Sequence, residues 1–527
     1  MVESGSESNR SIFTKHHFFA LVTCSLLLAS AVAAEEHERL LWKRQWMEIS
    51  STVENGELLD HVSTLASDAM EGRAAGSRGG RAAGNYIAKE FAEFGLEPAG
   101  DAGTYFQSFP SNYRNILGLL PGSDPELRHE IIVVGAHYDH VGYGTKSTSY
   151  GPLGYIHNGA DDNASGTAAV LEAAEALTKL SPGPRRSILF ALWDNEENGL
   201  YGSKHWLKYP QASPKEVVLA FNLDMVGRLR KETVEVYGSQ TGVGIRHLLT
   251  MANETVGLNL DFSWEMTENS DHYPFFAKDI PIIMFHTGLH DDYHRPSDDV
   301  ERINTEGVQS ITQLLLASLL LAADQEERIS FRPKAHQETL SEQQRRRNEP
   351  LPLIRPRLGI TWAHIPEEKG IRVLKVIGDS AAEEAGLQPE DRLLSLAGVP
   401  LNEESDFTRL LLAAPKKIAF EVLSEGEENP RTVDVQLGGN AIRAGIIWRE
   451  DSASPGSVFV RGVVPGSAAA GSGLHKEDRI FAVNGQPFTD SASFRKLLQE
   501  ETSPLTLKLE RKGRLQTARM EMVSFDE

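Results

Sequence analysis

Cysteine is almost missing. The 527 residues hold one, Cys24, so no internal disulfide can form and no thiolate cluster can hold a metal. Aromatic residues are scarce at 8%, and 53 Lys and Arg stand against 74 Asp and Glu, a formal net charge of −21. So acidic a surface repels phosphate backbones and excludes nucleic acid as a partner. Long apolar runs are missing too, apart from one near the N-terminus, which excludes a polytopic membrane protein. What remains, 40% hydrophobic and 24% charged residues, fits soluble globular domains, about three to five of them at this length.

The exception is the run from Phe18 to Ala33, preceded by Arg10 and Lys15 and closed by Ala31-Val32-Ala33. Residues 1–33 read as a secretory signal peptide, implying export to a periplasmic or extracellular space and no membrane contact beyond that segment. Its removal takes away two basic and two acidic residues, so the exported protein keeps the charge of −21. Cys24 lies in the middle of the run and not behind small residues at its end, which argues against lipid modification.

Beyond the signal, 42–65 and 79–94 carry helical periodicity. Four short apolar runs follow, 131–134, 188–193, 217–223 and 280–285, with helical stretches between them such as 168–180. Such alternation predicts an α/β domain with a largely parallel inner sheet over 34–326, closed by a helix at 308–323. Residues 327–352 are charged and poor in aliphatics, and read as a linker. After it the chain repeats itself at an offset of about 87 residues. Ser380-Ala381-Ala382, Gly386-Leu387 and Glu390-Asp391-Arg392 return as Ser467-Ala468-Ala469, Gly473-Leu474 and Glu477-Asp478-Arg479.

The apolar strands end in acids and histidines: 131–135 runs into His137-Tyr138-Asp139, 188–193 into Asp194-Asn195-Glu196-Glu197, and 217–223 into Asp224. In an open α/β sheet the carboxyl ends of strands meet at one crevice, so these side chains should converge. Asp161-Asp162-Asn163 precedes a helix, and Asp292-Tyr293-His294 follows the fourth run. Imidazole with carboxylate and no thiolate suits Zn²⁺, or Mn²⁺ and Co²⁺ less tightly. Two histidines and three carboxylates suffice for two ions that share one carboxylate. Asp139 can fix the ring of His137, and of Glu196-Glu197 one can ligate while the other moves a proton.

His137-x-Asp139, Asp161-Asp162-Asn163-Ala164-Ser165-Gly166, Glu196-Glu197, Asn222-Leu223-Asp224-Met225 and Tyr293-His294 together resemble, in order, the co-catalytic di-zinc aminopeptidases, the group of secreted bacterial leucyl aminopeptidase and aminopeptidase Y. The resemblance covers about 60–325. It implies a mixed sheet flanked by helices, and two Zn²⁺ bridged by Asp162. His137 and Asp224 complete one position, Glu197 and His294 the other, with Glu196 as general base supported by Asp139. The resemblance assigns Asp161, the other member of the pair with Asp162, no definite part. Where some members place a Tyr as oxyanion donor, three residues before a Ser-Asp, this chain has Thr267; His286, Tyr293 or the metal itself are the candidates instead. The implied activity is hydrolysis of N-terminal peptide bonds.

The repeated segments resemble two small β-rich PDZ domains of bacterial type, at 353–438 and 439–524. Leu358-Gly359-Ile360 and Ala444-Gly445-Ile446 fall where such domains present backbone N–H groups to the terminal carboxylate of a protein or peptide partner. Rival readings are weaker. The related di-zinc carboxypeptidases and deacylases insert a lid domain where only 70 positions separate Asp224 from His294. A glutaminyl-cyclase-like enzyme keeps one zinc, and a peptide-binding scaffold would have lost ligands that are all present here.

Overall fold

The structure is a computed structural model and describes residues 42–210, 213–366, 368–401 and 404–525. The expected signal segment, 1–33, lies outside the described residues. In chain order the elements are helices α1 (42–50), α2 (Asn55–Leu65) and α3 (Arg78–Glu93), strands β1 (Glu97–Pro98), β2 (Phe106–Phe109), β3 (Tyr113–Leu120) and β4 (Ile131–His137), then α4 (Gly166–Thr178), β5 (Ser187–Trp193), α5 (Tyr201–Lys208) and β6 (Val217–Leu223). There follow β7 (Thr233–Tyr237), α6 (Ile245–Asn253), β8 (Asn259–Ser263), α7 (His272–Phe276), β9 (Ile282–His286), α8 (Thr305–Asp324) and α9 (Leu340–Arg347).

These elements fall into two compact units: residues up to Leu229 with Thr287–Arg328, and Arg230–His286 with everything from Ile329 on. In the first unit the strand order is β1-β3-β5-β4-β6, with β2 also on β3. The inner strands β5, β4 and β6 run parallel, whereas β1, β2 and β3 are antiparallel. Every residue of β4, β5 and β6 is buried, as their unbroken apolar runs require of strands covered on both faces. α8 is long and apolar enough to cross a membrane, but it packs on α2 and α4 as a core helix with 72% of its most apolar window buried.

In the second unit β9, β7 and β8 lie side by side, β7 parallel to β8 and antiparallel to β9. Two further sheets share one plan. The first contains β10 (Ile360–Ala363), β11 (Ile371–Val376), β12 (Arg392–Leu396), β13 (Val399–Pro400), β14 (Lys417–Leu423) and β15 (Arg431–Gln436), with helices α10 (Ala381–Glu384) and α11 (Glu404–Ala413). The second repeats it element for element: β16 (Ile446–Glu450), β17 (Val458–Val463), α12 (Ala468–Gly471), β18 (Arg479–Val483), β19 (Gln486–Pro487), α13 (Ser491–Glu500), β20 (Leu505–Arg511) and β21 (Arg514–Met520). Their orders are β10-β11-β12-β14-β15 and β16-β17-β18-β20-β21, so β10 and β16 are edge strands. Each sheet closes over its own apolar core, around Phe407 and Phe420 in one and Phe494 and Leu507 in the other.

Residues 327–352 correct the expectation of a flexible linker. Arg332 is buried, donates through Nη1 to Glu338 Oε2 at 2.9 Å, and caps the carbonyl of Gln240. On α9, Gln343 donates to Phe262 O at 2.7 Å and accepts from Trp264 N at 3.1 Å, closing a two-way clasp on the end of β8. Charged composition suggested solvation, but Arg332 and Arg346 pair with Glu338 and Glu342 inside the segment, and Arg332 and Gln343 bind groups outside it.

The hairpin of β20 and β21 is joined to α6 and β8. Leu260 N donates to Lys512 O at 2.9 Å, Asn253 Nδ2 to Gly513 O at 2.7 Å, and Arg246 forks onto Glu510 at 2.8 and 3.0 Å. Burial pushes the Glu510 carboxyl up, but Arg246 and Arg479 outweigh it and hold the group below its ordinary value. A carboxyl depressed in the folded state stabilises above its unfolded pKa of about 4.3, and that contribution is lost as pH falls through the folded value. Thermal denaturation followed by circular dichroism should therefore show a midpoint that falls below about pH 4.3. In Glu510→Gln the midpoint should be lower at pH 7 and its acid dependence shallower.

Candidate metal centre

The first unit brings the acids and histidines together at the carboxyl ends of its parallel strands. His137 ends β4, Glu196 and Glu197 follow β5, and Asp224 follows β6. Asp162 comes from the turn before α4, and His294 from the loop after Thr287. His137 Nε2 lies 3.3 Å from Asp162 Oδ1 and 3.4 Å from Asp224 Oδ1. His294 Nε2 lies 3.0 Å from both Asp162 Oδ2 and Glu197 Oε2. The two oxygens of Asp162 thus face two different groups of ligands. Glu196 clusters with His137 and Asp224, so consecutive glutamates serve opposite halves.

The motif around Asp162 is mostly fastening. Asn163 Oδ1 accepts from Gly166 N at 3.0 Å and Met225 N at 3.2 Å, while its Nδ2 donates to Leu223 O at 2.8 Å. Ser165 Oγ donates to Asp161 and accepts from Val226 N at 3.1 Å. Asp161 itself accepts from Gly227 N at 2.6 Å and lies 3.0 Å from His290, which gives it a structural role. These bonds pin the turn to the end of β6 and set Asp162 beside Asp224. Asp298, ion-paired to Arg228 at 2.9 Å, accepts the backbone N–H of both Asp161 and Asp162 and holds the turn from the other side.

Asp139 lies beside His137, whose Nδ1 is 3.2 Å from the Asp139 backbone carbonyl. Its Oδ1 lies 3.7 Å from His137 Nδ1 and accepts the backbone N–H of Glu196 at 3.0 Å, linking the ligand of one strand to the glutamate turn of the next. Tyr293 stacks on His294 at 3.9 Å between ring centres. Thr267 and His286 both belong to the other unit, where His286 lies 3.6 Å from Glu235.

Two residues that sequence reasoning passed over belong here. His140, three positions after His137, is buried with Nδ1 2.7 Å from Glu197 Oε1 and 3.7 Å from Asp162 Oδ2. The signal was the second histidine of His137-Tyr138-Asp139-His140. Arg73 is fully buried and donates to four carbonyls, those of Leu65, Tyr138, Asn158 and Gly159, at 2.6 to 2.9 Å. It clamps the loops on either side of the site; nothing in its local sequence marks it. Burial lowers its pKa to about 10 against the opposing pull of Asp162, Asp139, Asp298 and Glu197, so it stays charged at neutral pH. Arg73→Leu would leave those carbonyls unpaired in the interior, and should cost about 3 kcal/mol or more in denaturant unfolding while loosening metal binding.

The electrostatics call for cations. Burial disfavours a charged imidazole at His294, yet Asp162 and Glu197 raise it to about 11, and His137 is likewise driven well above its ordinary value despite burial. Burial and Asp162 act to raise Glu197, but His140 and His294 hold it at about 2. Protons on imidazoles therefore stand where metal charge would, and the ligating atoms fall into two groups whose members lie within 4.8 Å of one another: His140, Asp162, Glu197 and His294, and His137, Glu196 and Asp224. Nitrogen and carboxylate oxygen without sulfur is the donor set that zinc takes in catalytic sites.

A parallel-centred sheet with buried imidazoles and carboxylates at its strand ends defines an α/β domain whose crevice could hold metal ions. Residues 115–319 match the model of peptidase family M28, and residues 459–511 that of a PDZ domain, so the chain carries an M28 peptidase domain followed by a PDZ domain. The PDZ model matches the second of the two similar sheets, where the sequence pattern had suggested two such domains. Aminopeptidase YwaD of Bacillus subtilis (strain 168) is 30% identical over 226 residues, 41% of this chain and 46% of that protein. Leupeptin-inactivating enzyme 1 of Streptomyces exfoliatus is 30% identical over 230 residues, 42% and 46% of the two chains. The chain thus spans about half the length of the curated relatives it matches. Among solved structures, a zinc aminopeptidase from Bacillus subtilis aligns with a TM-score of 0.43 at 19% identity, over 52% of this chain and 96% of that one.

Proposed function

We propose that the protein is an exported zinc aminopeptidase, in which His137, Asp162, Asp224, Glu197 and His294 would hold two ions. The observation that carries this reading is the placement of the Asp162 oxygens, one toward His137 and Asp224 and the other toward Glu197 and His294, with Glu196 beside the first group. Zinc bound there would supply Lewis acidity, activating a water and polarising the scissile carbonyl. The chain's own residues do the rest. Glu196 takes a proton from the attacking water and passes it to the leaving amine, held in place by the bond from its backbone N–H to Asp139. The backbone carbonyl of Asp139, 3.2 Å from Nδ1, keeps the His137 ring oriented, and Tyr293, stacked on His294, stands beside the site as a donor for the developing oxyanion. Release of free amino acids from a peptide library, abolished by a chelator and restored by zinc, tests the activity; release of internal fragments would refute it.

The sheet at 353–438 belongs to this proposal as a second PDZ fold, since it repeats the matched domain strand for strand. An extended peptide would add to the free edge of β10 or β16, with its carboxylate at Leu358-Gly359-Ile360 or Ala444-Gly445-Ile446. Gly445 has φ 77°, and a Cβ there would run into Ser467. Peptides with a free carboxylate should bind more tightly than their amidated forms in fluorescence anisotropy. Gly445→Val should weaken binding at the second domain at least about tenfold, a loss of about 1.4 kcal/mol.

A further inference from the structure

The two halves of the centre are unequal, and His140 makes them so. Around Asp162 Oδ2 stand Glu197, His294 and His140; around Asp162 Oδ1 stand His137 and Asp224, with Glu196 alongside. We propose that His140 is a metal ligand through Nδ1, so that the Glu197 and His294 position is closed by four protein groups while the His137 and Asp224 position stays open. This rests on the two-metal reading above and adds a division of labour to it. Four protein ligands mark zinc positions that hold structure, whereas three leave a place for substrate or water. The closed position then anchors Asp162, and the open one, next to Glu196, is where the substrate is met.

Three observations support the assignment. First, His140 is only 2% exposed, and its Nε2 is buried without a hydrogen-bond partner, so the ring's polar contacts are made through Nδ1, toward Glu197 and Asp162. Second, the Nδ1 atom lies within 4.8 Å of the ligating atoms of Asp162, Glu197 and His294, and the His140 and His294 rings meet edge to face at 5.5 Å. Third, the backbone makes room for the ring. Gly159 has φ 57°, and a Cβ on it would run into both the Asp162 carbonyl and the His140 ring, at 2.5 Å from Cδ2, so the turn before Asp162 leaves space for this imidazole. A histidine that only buttressed Glu197 would donate Nδ1–H to it and touch no metal, and the experiment separates the two roles.

Ligation through Nδ1 keeps the bonding atom close to Cβ, and zinc–sulfur bonds, at about 2.3 Å, exceed zinc–nitrogen bonds of about 2.0–2.1 Å, so a cysteine at 140 can reach the same ion. His140→Cys, made in a Cys24→Ser background so that its thiol is the only one in the chain, should show a thiolate-to-cobalt charge-transfer band in the near ultraviolet when loaded with Co²⁺. The Cys24→Ser parent should bind two Co²⁺ without that band. Full cobalt uptake by the variant with no band overturns the proposal. Should this variant fail to fold, His140→Gln decides: it retains an N–H for Glu197, so zinc affinity at the tighter position should drop more than about 100-fold for a lost ligand and stay unchanged for a lost buttress. A parent protein that binds fewer than two ions would instead refute the two-metal reading, whatever the state of residue 140.

Discussion

Glu196→Gln is expected to keep its full complement of metal yet lose turnover by about 10²–10⁴, the range that a general acid–base residue supplies. Its partner experiment is Asp162→Ala, expected to lose metal from both positions, because the Asp162 oxygens are 3.3 Å from His137 Nε2 and 3.0 Å from His294 Nε2. Removing it also leaves the buried imidazoles facing fewer acids, so their affinity for protons should fall together with that for metal. Metal content measured on the purified variants, with steady-state kinetics on a dipeptide amide, reads both effects. Equal metal depletion in the two would show that Glu196 ligates, and normal metal content in Asp162→Ala would remove the bridge.

The second large effect concerns a cut after residue 330. A linker at 327–352 would let the catalytic half fold without the rest, but the structure predicts otherwise. The cut removes Arg332, whose backbone N–H and guanidinium bind the carbonyls of Thr241 and Gln240, and Gln343, which clasps Phe262 and Trp264. It also removes the hairpin whose Lys512 and Gly513 carbonyls satisfy Leu260 and Asn253. Leu260 and Phe262 are buried in the intact chain and would be left with one face bare. The fragment ending at 330 should keep the first unit but leave 230–286 without its cover, and so be poorly soluble, with near-ultraviolet circular dichroism and activity well below those of the intact chain. A soluble fragment with sharp thermal unfolding would contradict the docking.

Much of the site could be read from the chain because its chemistry lies at the ends of short apolar runs. β4, β5 and β6 are buried along their whole length, so their sequences are mostly apolar, and the site residues His137, Glu196, Glu197 and Asp224 stand at or within four residues of where each strand ends. The short strands were not legible. β1 has two residues and β2 four, and β7 shows its alternation over only five, too few for a period to stand out. His140 escaped because its role depends on Gly159 and Glu197, distant in sequence, and a second histidine beside His137 carries no spacing of its own. Arg73 and Arg332 escaped for a shared reason. Burial of a guanidinium is decided by carbonyls and carboxylates that other segments supply, and composition alone places such residues in solvent.

The chain passes from the first unit to the second at Arg230, returns at Thr287 and leaves again at Ile329, and this crossing has a consequence during synthesis. Asn253 donates to the carbonyl of Gly513, 260 residues further on. At roughly 5–20 residues per second a ribosome needs about 13–50 s to make that stretch. For all of that interval α6 and β8 exist without the hairpin that covers them, while the first unit, complete once Arg328 has emerged, can already fold. The growing polypeptide therefore holds a finished half beside an apolar, half-built one, and its yield should depend on a chaperone that shields 245–263 until translation ends.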